Sequence, residues 1–179
     1  LEPAIKPALA VTKTGHVGVI GTRGTLSSAK FEKLMASLAD QAHFVVQPCD
    51  GLAHAVERSV TLPPTTASNA VNSTETGALC ERYVNGMGPF GTAAGQMDTL
   101  VLGCTHYIFV EHELRALVGP DVRLIETGEP VARQTRHLLE AAGLLRQTTL
   151  SDDGDEPQAP TDAAPPVQLL TTGPVSMLE

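Results

Sequence analysis

The sequence predicts an α/β fold around a parallel sheet, and three observations carry that prediction. Short apolar runs, the mark of buried strands, recur at His16–Gly21, His43–Gln47, Thr99–Gly103 and Val122–Ile125. Between them lie segments whose apolar residues fall at helical spacing. Strands alternating with helices build βα units, whose crossovers leave neighbouring strands parallel. The third observation is bulk. With 42% apolar residues in 179, the chain can bury a core of one large or two small domains. Aromatic residues are only 3% and Trp is absent, so that core must rest on Leu, Val and Ala.

Each element has its own justification. After the first strand, the polar segment Thr22–Ser28 leads into a helix with Phe31, Leu34, Met35 and Leu38 on one face, and Ser28 suits its N-cap. Asp50, following the second strand, is expected to cap a helix running through Glu57. Residues 61–74 are rich in Thr, Pro, Ser and Asn and read as a loop. A helix from Glu75 turns Leu79, Cys80, Tyr83, Val84 and Met87 to one side. Beyond the third strand, Val110, Leu114, Leu117 and Val118 form another helical face. The helix from Glu129 has Pro130 near its start and Gly143 at its end, with Val131, Thr135, Leu138, Leu139 and Ala142 expected inward. Residues 151–166 hold Asp, Pro, Gly and Ala and no basic residue, the composition of a solvated connector. Val167–Thr171 reads as a final short strand.

Charge excludes several partners. Twelve Lys and Arg against twenty Asp and Glu give −8, the wrong sign for gripping nucleic acid or an anionic membrane surface. No run approaches the roughly 18–20 apolar residues that a membrane span requires. Three cysteines, odd and sparse, suit reduced thiols in a cytoplasmic protein. The chain opens on Leu1 rather than Met and closes just after Pro174, where a helix would start, so the expectation is a fragment trimmed at both ends.

The segment Asp98–Tyr107 concentrates the chemistry. A buried strand ends on Gly103, Cys104, Thr105 and His106, and a helix follows. In open α/β sheets the ligand crevice lies beyond the carboxyl ends of the strands. A thiol set there, beside an imidazole, can act as base or nucleophile; the competing reading is a cysteine that merely packs. Position alone leaves both open for Cys104. Cys49 follows a proline at a turn and reads as structural, and Cys80 lies on an apolar helical face. Thr22–Ser28 also joins a strand to a helix, so its hydroxyls and N–H groups could hold a carboxylate or phosphate, or form an ordinary capped loop. Glu57 taken alone reads as an exposed helix charge. Histidine spacing matches no metal motif, and a zinc site from Cys49, Cys104 and His106 is set aside for want of a close Cys pair. Gly86–Gly91 spells G-x-G-x-x-G but follows a helix rather than a strand, so it is no dinucleotide fingerprint.

Asp98–Tyr107 resembles the second-cysteine motif of bacterial glutamate racemases. Glu2–Pro7, Val19–Thr25, Pro48–Glu57, Gly119–Glu126 and Thr171–Gly173 resemble the family in the same order. The resemblance implies a parallel-sheet aspartate/glutamate racemase-like α/β fold and cofactor-independent, two-base interconversion of L- and D-glutamate for peptidoglycan. Two thiols flank the α-carbon in such chemistry, one removing the proton and the other delivering it on the opposite face. By the resemblance Cys104 is one of them, assisted by His106 and Glu57. Thr105, His106, Thr22 and Thr25 match substrate-binding positions. No metal or other cofactor is implied, the partner is the small-molecule substrate, and a homodimer is the candidate assembly.

The family's other catalytic cysteine lies upstream of the segment matched by Glu2–Pro7, and Cys49 does not stand in for it. The resemblance therefore implies one near-complete domain, 16–118, plus pieces of a second. Those pieces are the tail 1–15, a return segment 119–150 and, past the 151–166 connector, the strand and helix start 167–179. The isolated chain is expected to be inactive. Rival readings are an aspartate or hydantoin racemase, a non-catalytic binding module of the same fold, and a cysteine-nucleophile hydrolase.

Overall fold

The computed structural model describes residues 1–61 and 74–145. Four strands, β1 (His16–Gly21), β2 (His43–Pro48), β3 (Thr99–Gly103) and β4 (Arg123–Ile125), form one sheet in the order β2-β1-β3-β4. Every pairing is parallel, with Gly21 opposite both Pro48 and Gly103. The first and third strands match their expected bounds, because central strands of a parallel sheet are buried on both faces and read as unbroken apolar runs. β4 is a residue shorter than expected, and Val122 before it is buried.

Helices cover both faces. Ile20, Leu100 and Leu102 point into one core with Leu52 and Val56 of α4 (Leu52–Thr61), Cys80 and Val84 of α5 (Glu75–Asn85), and Leu114 and Val118 of α6 (Glu111–Val118). Val17, Val19 and Val101 point the other way, against Ala4, Ile5 and Ala8 of α1 (Glu2–Val11) and Phe31 and Leu38 of α3 (Ala29–Leu38). Alternate strand residues thus feed two separate cores. Ser28 caps α3, accepting from the Phe31 N–H, and Thr74 caps α5, accepting from the Gly77 N–H. Residues Leu1–Leu145 make one compact unit.

Four expectations need correction. Thr22–Ser28 is not a plain loop, since Arg23–Leu26 completes a helical turn, α2. Asp50 does not cap α4; its carboxylate is held by Arg23 instead. α4 continues past Glu57 to Thr61. The last helix, α7 (Gly128–Ala141), forms and ends at Gly143 with φ +66°, but Val131, Thr135, Leu138, Leu139 and Ala142 are not inward. It has no buried residue, and Leu138 is 59% exposed. Helical periodicity shows which face is apolar, not whether anything covers it. The heart of the expected 61–74 loop, and all of the connector and strand expected over 151–171, lie outside the described residues.

Candidate active site

Strand order places the site. From β1 the chain moves out to β2, then returns past β1 to β3, so β1 and β3 are neighbours at the point where the direction of winding reverses. A crevice opens beyond the carboxyl ends of strands at such a point. Thr22 follows β1 and Cys104 follows β3, one residue past the paired glycines Gly21 and Gly103. The pairing leaves no room for a larger residue at 103, where a Cβ would lie 2.5 Å from the Ile20 carbonyl oxygen.

Three residues expected at the site meet there. The half-buried Cys104 Sγ lies 3.6 Å from His106 Nδ1, and His106 Nε2 lies 2.9 Å from Glu57 Oε1. Cys104 and His106 come from the bend after β3, where the Tyr107 N–H donates to the Cys104 carbonyl and starts a 3-10 turn, Tyr107–Val110. Glu57 comes from the second turn of α4. A carboxylate only accepts, so Nε2 must carry the hydrogen it donates to Glu57. Nδ1 of the neutral ring is then an acceptor facing the thiol. The arrangement can take the thiol's proton and hold the resulting imidazolium against a carboxylate. Taken alone, Glu57 read as a free surface charge; its side chain is indeed 61% exposed, yet its carboxylate is committed to His106.

Thr22 and Thr25 are also brought together, their hydroxyls 2.9 Å apart at the opening of α2. Thr105 is exposed beside Cys104, and Ile108 and Phe109 stand exposed just beyond it. The other thiols are of a different kind. Cys49 and Cys80 are 2% and 0% exposed, and burial above all pushes both up to about 12. Among the described residues no three His, Cys, Asp or Glu side chains gather as a metal site. None of the described helices is long and apolar enough to cross a membrane. The hollows of about 430 and 600 Å³ on either side of α1 lie against α7 and do not include Cys104. The thiol belongs to the open end of the sheet, and geometry rather than depth identifies the site.

The sequence did not reveal the supports of this site. Arg23 holds the Asp50 carboxylate, the Tyr83 hydroxyl donates to the Asp50 carbonyl at 2.7 Å, and the buried Tyr107 hydroxyl donates to the Cys49 carbonyl at 3.4 Å. One signal was available. Gly21 and Pro48 are register partners, and the opposite charges Arg23 and Asp50 each lie two residues beyond them.

No protein-family model matches the chain. It is 40% identical over 145 residues to the glutamate racemase of Pseudomonas syringae pv. tomato, covering 81% of this chain and 47% of that protein. Relatives from Pseudomonas putida, at 43% identity, and Herpetosiphon aurantiacus, at 40%, are likewise glutamate racemases, covered to 50% and 53% of their length. The fold agrees with this. Glutamate racemase from Bacillus anthracis superposes with TM-score 0.65 at 28% identity, covering 82% of this chain and 50% of that one. Escherichia coli glutamate racemase, solved with L-glutamate and the activator UDP-MurNAc-Ala, gives 0.57 at 26%, covering 76% and 47%. The chain thus has the α/β fold of glutamate racemases, and it spans about half the length of the relatives it matches.

Proposed function

We propose that this chain carries one half of the acid–base machinery of a cofactor-independent glutamate racemase. The observation that carries the reading is the Cys104–His106–Glu57 chain of contacts at the switch point of the sheet. Cys104 as thiolate takes the α-proton of one glutamate enantiomer, and as thiol returns it in the reverse direction. His106, oriented by Glu57, accepts the thiol proton that prepares the thiolate. Thr22, Thr25, Thr105 and the His106 backbone hold the substrate's carboxylates and amine, for which hydroxyls and N–H groups at a helix opening are suited. The opposite face of the α-carbon needs a second acid, and neither Cys49 nor Cys80 can serve from its buried position. That acid belongs to a further domain, for which the sheet end carrying Cys104 forms the facing wall of a cleft, and the wall's own unit includes α1 and β4 as well as 16–118. The whole enzyme would work in the cytoplasm, supplying D-glutamate for peptidoglycan. Homology favours glutamate over aspartate or hydantoin substrates, since the relatives bear that name and the E. coli protein was solved with L-glutamate.

The test is α-deuterium incorporation into L- and D-glutamate in D₂O, run on the complete gene product with and without Cys104→Ala. The expected result is exchange of both enantiomers by the wild type and selective loss of one by the variant. Exchange of neither by the wild type would overturn the racemase reading in favour of a binding module. A stable acyl adduct on Cys104 in mass spectrometry would point to a hydrolase.

A further inference from the structure

Asp50 does none of the chemistry proposed for the site, yet four elements converge on it and its neighbour Cys49. The Cys49 N–H donates to the Gly21 carbonyl at the end of β1, at 2.9 Å. The Tyr107 hydroxyl of the 3-10 turn donates to the Cys49 carbonyl, and the Tyr83 hydroxyl of α5 donates to the Asp50 carbonyl. Arg23 Nε lies 3.1 Å from both Asp50 carboxylate oxygens, and its Nη2 also contacts one of them. The partners matter by their position in the chain. Arg23 sits between Thr22 and Thr25, the hydroxyl pair, and Tyr107 directly follows His106. From this turn, through Gly51 at φ +80°, the chain enters α4, which delivers Glu57 to His106.

We infer that Asp50 is a positioning residue, tying the Thr22–Thr25 hydroxyl pair to the start of the helix that carries Glu57. The inference rests on the racemase reading of the site. Stability alone does not account for the pair, because Arg23 and Asp50 are 65% and 52% exposed and exposed ion pairs contribute little. A guanidinium fork on a carboxylate does fix direction. With the fork in place, the turn entering α4 cannot move without carrying α2 along, so the substrate-holding hydroxyls and the imidazole's carboxylate partner keep one relative placement. Tyr83 holds the same residue through its carbonyl, leaving the carboxylate to Arg23.

The test uses the complete gene product carrying Asp50→Asn, Asp50→Glu or Tyr83→Phe, the last removing a single hydroxyl and so guarding against misfolding. Thermal midpoint, α-proton exchange for each enantiomer and the His106 imidazole nitrogen chemical shifts by NMR are recorded, each with and without Glu57→Gln. Asp50→Asn and Tyr83→Phe should leave the midpoint nearly unchanged while lowering kcat for the enantiomer served by Cys104 about tenfold, as loss of orientation does. KM should rise with Asp50→Asn, and Asp50→Glu should recover most of both. Glu57→Gln should change the His106 imidazole nitrogen chemical shifts in wild type, through loss of the 2.9 Å carboxylate contact, and change them less in the Asp50→Asn background. Unchanged kcat and KM in both variants, with an undiminished Glu57→Gln effect on His106, would overturn the inference. A wild type that exchanges neither enantiomer sinks the racemase reading instead, and the His106 nitrogen chemical shifts then decide the positioning role alone.

Discussion

Asp98, at the foot of β3, shows how much one side chain can hold. Its carboxylate accepts from the Thr12 hydroxyl, the Lys13 and Thr14 N–H groups and the Thr99 hydroxyl, fastening the end of α1 to the central strand. Burial opposes its ionisation, but these four donors outweigh burial and hold the carboxyl down at about 2. A carboxyl lowered in the fold stabilises it above the unfolded pKa, and the contribution goes as pH falls from about 4 through about 2. A drop of nearly two units corresponds to about 2 kcal/mol. Asp98→Asn should therefore lower unfolding free energy by about 2 kcal/mol at pH 7 and by clearly less at pH 3, read from urea midpoints. An equal deficit at both pH values would mean the carboxylate's charge is not what the four donors hold. The sequence does not reveal this role, because Asp98 adjoins a strand and three of its four donors lie about 85 positions away. Glu57 teaches the same lesson at the candidate site. Exposure and chemical engagement are separate properties, and only the second needs a partner brought in by the fold. Glu57→Gln should cut exchange of the Cys104-served enantiomer about tenfold with little change in KM, since it alters the imidazole and not substrate contact.

At the scale of elements, β1 and β3 were legible to the residue, and so was the position of Cys104 beyond a strand end. Both follow from local pattern: strands buried on two faces are uniformly apolar, and chemistry gathers where they stop. The exposed face of α7 and the helical turn at Arg23–Leu26 were not legible, because each depends on what the rest of the fold leaves beside it. The closest approach in the sheet gives a sharper test. At Gly103 an added Cβ would meet the Ile20 carbonyl oxygen at 2.5 Å and Leu1 at 2.7 Å, and the backbone contact cannot swing aside. Gly103→Ala should destabilise by roughly 1–3 kcal/mol and move Cys104 relative to Thr22. Gly24, inside α2, has nothing within 4 Å of an added Cβ. Gly24→Ala should leave stability unchanged or raise it by up to about 1 kcal/mol. Chemical denaturation of the two variants side by side separates crowding between β1 and β3 from a general intolerance of side chains around the site.

For the whole molecule, the decisive quantity is the number of usable acid–base groups. Inversion at a stereocentre needs a group on each face of the α-carbon, and the racemase reading makes both of them thiols. Of the chain's three cysteines, Cys49, just past β2, and Cys80, on α5, are buried in the core and pushed up to about 12 by burial, whereas Cys104 is half-buried just past β3. Brief alkylation of the folded 179-residue chain with iodoacetamide should accordingly label Cys104 and leave the other two protected until denaturant is added. The same inventory predicts that this chain by itself does not racemise glutamate. A single thiol beside one face can at most wash deuterium into the enantiomer whose α-proton it meets, returning the same hand, because nothing on the far side delivers a proton. Polarimetry of L-glutamate incubated with the chain should show no loss of rotation, whatever exchange mass spectrometry detects. Loss of rotation at a rate proportional to chain concentration, abolished by Cys104→Ala, would show that a residue other than a thiol serves the second face and would overturn the two-thiol scheme while keeping Cys104 as base.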